Sequence, residues 1–138
     1  MLFRSQFDAA SLHTDFYLHS LGEYLRHFAG RPVVYVAANG TPESSAPDAL
    51  GRLADALSAG AVGSVAALDV PGFREEEGVV DYRTDHFLGI RTSNSLLRFY
   101  ARGAWGGPLS VGHHLFAENA DAAEATTAWQ GFLDWLYG

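Results

Sequence analysis

The chain contains no cysteine, and every one of its basic residues other than histidine is an arginine, so it also lacks lysine. The first absence excludes thiol nucleophiles, disulfides, zinc–thiolate sites and iron–sulfur ligation. The second removes Schiff-base chemistry, lysine general bases and P-loop phosphate binding. Long apolar runs are missing too. No window approaches the ~20 apolar residues of a bilayer-spanning helix, and the opening MLFRSQFDAASLHTD breaks any stretch of signal-peptide length with polar side chains. The reading from these absences is a chain without a targeting segment, expected in the cytoplasm. Its net charge of −7 disfavours general binding to phosphate backbones and favours attraction to basic partners.

What is present describes a packed globule. With 48% hydrophobic and only 18% charged residues over 138 positions, one α+β domain covering 1–138 can bury roughly 65–70% of the surface exposed by the unfolded chain. From Leu12 to Phe28 the apolar residues Tyr17, Leu18, Leu21, Tyr24, Leu25 and Phe28 recur at three- and four-residue spacing, which predicts an amphipathic helix closed by Gly30 and Arg31-Pro32. Val33–Ala38 reads as a strand buried on both faces. Ser45 is positioned to cap a second helix carrying Leu50, Leu53 and Leu57, and a strand around 62–70 ends at Pro71-Gly72. Runs at 79–84, 86–91, 95–102 and 109–116 follow, with Ser93-Asn94 placed where a two-residue hairpin needs a left-handed residue. Asn119 is the expected cap of a last helix bearing Trp129, Phe132, Leu133 and Leu136. The order α-β-α-β-β-β-β-α predicts a mostly antiparallel sheet covered by helices.

Chemistry-bearing motifs are sparse. In LSVGHHLF the adjacent His113 and His114 point to opposite faces of a strand, so they cannot share a metal ion. Helix-one histidines lie too far apart to share one either, and no H-E-x-x-H spacing exists; the sequence calls for no metal and no cofactor. VAANGTPESS holds one glycine where a dinucleotide turn needs several. Arg98, Tyr100 and Arg102 share a strand face and could stack single-stranded bases, although pairing with Asp81 and its neighbours is the plainer reading and nucleic acid is disfavoured.

The sequence thus points to a small acidic protein-binding module without catalytic activity: an inhibitor, immunity factor, secretion chaperone or adaptor. Glu75, Glu76, Glu77, Asp81 and Asp85 would steer a basic partner, and Tyr82 and Trp105 would anchor it. The alternative is a metal-independent enzyme or small-ligand binder using His86, His114 and nearby arginines. A homodimer is also expected as an option, through strand 95–102 pairing across a two-fold axis.

Overall fold

A computed structural model of the chain describes residues 2–138, with side chains described from residue 8 onward. The chain divides into two compact units, residues 1–31 and residues 32–138. The first is a single helix, α1 (Leu2–His27), longer than its apolar periodicity indicates. It ends as its sequence dictates: the Phe28 amide donates to Tyr24 O, Gly30 takes a φ of 81°, and the Gly30 amide donates to the Tyr24 hydroxyl. Of the stripe that announced this helix, Tyr17, Leu18, Leu21 and Leu25 are exposed, Tyr24 is half-buried and Phe28 is buried.

The second unit is an antiparallel six-stranded sheet with two helices, and the whole belongs to the α+β class. In chain order its elements are β1 (Val34–Asn39), α2 (Ala49–Ala56), β2 (Val65–Ala67), β3 (Glu77–Arg83), β4 (Phe87–Arg91), β5 (Ser95–Ala101), β6 (Leu109–Leu115) and α3 (Ala122–Tyr137). Five strands separate α2 from α3. The sheet order is β1-β6-β5-β4-β3-β2. The segment that looked like a β-α-β unit therefore places its two strands on opposite edges, because β1 pairs with the last strand, Val34 facing Leu115. An edge strand needs only one apolar face, and β1 alternates accordingly: Val36 and Ala38 are buried, while Tyr35, Ala37 and Asn39 are exposed. Strand 95–102 is no edge. It is β5, bonded on both sides, and cannot pair across a two-fold axis.

Side chains alternate across the sheet, and one face meets α2 and α3. Val36, Val111, Phe99, Leu97, Ile90 and Val80 from the strands pack with Leu53 and Leu57 of α2 and Trp129 and Leu133 of α3. The Tyr137 hydroxyl donates to Ala49 O at 2.7 Å and so ties the end of α3 to the start of α2. Several local devices differ from expectation. Asp121 caps α3 through a bond from the Glu124 amide, and Asn119 lies two residues outside. Ser45 sits in a 3-10 turn, its hydroxyl donating to Pro42 O, and Asp48 occupies the N-cap of α2. The β4–β5 turn needs no left-handed residue, since neither Ser93 nor Asn94 has a positive φ. Thr92 accepts the Asn94 amide on its hydroxyl and shares a 2.6 Å bond with Ser95, which closes the turn by side-chain bonding. Gly40 is explained by crowding: a Cβ there would lie 2.5 Å from the Ser44 hydroxyl, which itself holds the Leu109 amide. No helix among the described residues is long and apolar enough to cross a membrane.

Candidate functional site

The two neighbouring histidines separate as strand alternation requires. His113 lies against Trp129, 4.5 Å between ring centres, and against Phe99. His114 turns to the opposite face and stacks edge-on with Tyr35 at 5.2 Å. The Arg98 backbone amide donates to Nδ1 of His113 at 2.9 Å. That bond fixes the neutral tautomer with its proton on Nε2. Burial holds His113 well below the ordinary imidazole value, and the charges of Arg98 and His114 depress it further. Its Nε2 and the indole Nε1 of Trp129 make no hydrogen bond, so this pair is packed core.

His86 lies at the other end of the sheet, 4.6 Å from the ring of Trp105. Its carbonyl accepts the amide of Ala101, whereas His114 is registered with Leu96. The five-residue offset along β5 corresponds to about 17 Å. His86 and His114 therefore do not form one acid–base pair. Trp105 is tucked against His86 and Phe87 rather than projecting.

The arginine–tyrosine face resolves into an ion pair. β3 carries a bulge between Val80 and Tyr82, and the extra residue, Asp81, turns onto the face opposite α2 and α3. There its two oxygens meet both terminal nitrogens of Arg98 at 2.7 and 2.9 Å. Gly89 lies beneath, and any Cβ on it would strike the Arg98 guanidinium. Both ends of this pair are buried, which removes Asp81 from any steering surface and commits Arg98 to a structural partner. Of the other steering residues, Glu76, Glu77 and Asp85 are exposed and Glu75 is half-buried. They do not form one patch, because Glu77 and Asp85 bracket the length of β3, on the order of 25 Å.

The surface that does gather apolar and acidic groups lies along the outer side of α3. Residues Val70–Phe73 make a tight turn, with Phe73 N–H donating to Val70 O at 3.0 Å and Gly72 at φ 87°. Pro71 followed by a glycine of positive φ is the combination a type II turn demands. Buried Val70 and Phe73, whose ring meets Trp129, pin this turn against α3. Between them runs a groove of about 810 Å³, lined by Pro71 and Gly72, by Ala123, Thr127, Gly131 and Trp135 at successive helical turns, and by Asp69 and Glu124 at the rim. Trp135 is 73% exposed, its ring tilted at 38° to that of Phe132. Gly131 is mid-helix, and a Cβ there would meet nothing within 4 Å. Packing gives no reason for a glycine that costs a helix about 1 kcal/mol relative to alanine; it leaves the floor of the groove open.

A second, smaller hollow of about 190 Å³ continues from Gly72 and Glu124 to Arg74, Glu75 and Asp121. Across both, four carboxylates stand against one guanidinium, and that guanidinium, Arg74, is already paired with Glu124. Glu75 is the one predicted partner-binding residue in this surface. Asp69, Gly72, Glu124, Gly131 and Trp135 were missed. The available signals were Gly131 inside a helical pattern and a tryptophan set off the buried stripe of α3. No family model matches the chain, and no curated protein or solved structure is detectably similar to it.

Proposed function

We propose that the chain is a protein-binding module whose site is the α3 groove and whose partner presents a basic segment with an apolar anchor. The observation that carries this reading is the open glycine floor beside an exposed Trp135, under a rim of carboxylates. An apolar side chain of the partner fills the space over Gly131 and stacks on Trp135, and flanking arginine or lysine groups meet Asp69, Glu75 and Glu124. Exposed tryptophan is the residue most enriched in binding hot spots, and rim charges mainly set association rate and salt dependence.

A labelled amphipathic peptide of leucine and lysine, followed by fluorescence anisotropy, tests it against the same peptide with glutamate in place of lysine. The lysine peptide is expected to bind, to weaken as salt rises and to weaken again in Asp69→Asn/Glu124→Gln. Equal binding of both peptides, or indifference to those two substitutions, would overturn the proposal.

A further inference from the structure

We infer that the exposed stripe of α1 is the contact through which two copies of the chain pair, antiparallel, about a two-fold axis beside Leu21. Tyr17, Leu18, Leu21 and Leu25 are 51, 62, 52 and 60% exposed. At about 100° per residue they fall within one arc of roughly 100°. Singly scattered surface leucines are ordinary, but a continuous stripe at heptad-like spacing is a seam looking for a partner helix.

The flank of the stripe says which partner. Beyond Leu18 and Leu25 run Asp15, Gly22 and Arg26, within about 40° of one another; Asp15 and Arg26 are exposed. In an antiparallel pair the same flank of each helix faces its copy. The midpoint of Leu18 and Leu25 lies between residues 21 and 22, and that of Asp15 and Arg26 between residues 20 and 21, about 1.5 Å apart along the axis. One two-fold axis therefore sets Leu18 over Leu25 and Asp15 over Arg26, twice each. Gly22 sits beside that axis, and the Arg26 guanidinium, which bonds Glu23 at 2.9 Å, lies over it. In a parallel pair this flank would meet the opposite flank of the copy, and Asp15 and Arg26 would not face each other. An anionic lipid surface is a poor match, since α1 carries Asp8, Asp15 and Glu23 against Arg4 and Arg26 and the chain as a whole is negative.

The test is sedimentation velocity of the full chain from about 5 to about 500 µM, where mass action displays a weak dimer. The wild-type chain is expected to move from monomer towards dimer, and Leu21→Arg, at an exposed position, to remain monomeric with its circular dichroism unchanged. Asp15→Arg and Arg26→Asp should each weaken pairing, and the two together should restore it. Because the chain has no native cysteine, oxidising a mixture of Leu18→Cys and Leu25→Cys chains reports the direction, with the mixed disulfide dominating. A monomer throughout the range, a Leu21→Arg dimer, or a charge exchange that fails to restore pairing overturns the inference. Peptide binding at the α3 groove is independent of each of these outcomes.

Discussion

His113 makes acid sensitivity a property of this fold that one substitution should reduce. In the folded chain its imidazole is neutral, because burial against Phe99 and Trp129 penalises the charged form and the Arg98 and His114 charges oppose it. In the unfolded chain it titrates at its ordinary value near 6.5. The folded value is the lower one, so the unfolded state takes up the proton first. Stability is complete above pH 6.5 and is lost as pH falls below it, by about 1.4 kcal/mol for each pH unit over which the folded imidazole stays neutral. His114 is depressed in the same direction by partial burial and Arg98, so a difference measurement is needed. His113→Leu keeps the volume and apolar setting but strands the Arg98 amide, which costs about 1–3 kcal/mol at pH 8. Urea unfolding of both proteins at pH 8, 7, 6 and 5 should show a gap that narrows by more than 1 kcal/mol from pH 7 to pH 5. A gap that stays constant would refute a neutral, buried His113.

Three further outcomes follow from the same packing. Asp81→Asn removes the carboxylate that meets both terminal nitrogens of the buried Arg98 guanidinium and should cost about 3–5 kcal/mol in chemical denaturation. Gly40→Ala pushes a methyl group into the Ser44 hydroxyl, with an expected loss of about 1–3 kcal/mol. Gly131→Ala meets no neighbour and should stabilise the chain by about 0.8–1 kcal/mol, read as a higher urea midpoint at unchanged slope.

Local pattern made the elements legible. Alternation placed His113 and His114 on opposite faces and Arg98 beside Tyr100, and helical spacing found α1 and α3. Spacing reports only that a helix has an apolar side, however, and most of the stripe of α1 is exposed. Val33–Ala38 is apolar enough to suit a central strand, and its edge position follows from pairing with β6, some seventy-five residues away; non-local pairing leaves no mark in a short window. Alternation from Val80 sets Asp81 on the Arg98 face, whereas the bulge that brings Tyr82 beside it over Gly89 is invisible to strict alternation. The groove was half legible. Pro71-Gly72 was visible as a stop and Glu75 as an acidic residue, but their meeting with the outer row of α3 depends on how the turn packs on Trp129.

Whether the groove over Gly131 binds is read by a two-dimensional amide NMR titration of the chain and of Gly131→Leu with the leucine–lysine peptide. A Cβ at position 131 meets nothing within 4 Å, and the rest of the leucine projects into the open groove rather than into the core; an unchanged far-ultraviolet circular dichroism spectrum checks that the fold is kept. Peptide-induced shifts are expected at residues 69–75 and 121–135 in the wild-type chain and should be lost in Gly131→Leu. Shifts that map elsewhere, or that persist unchanged with the floor filled, would contradict it.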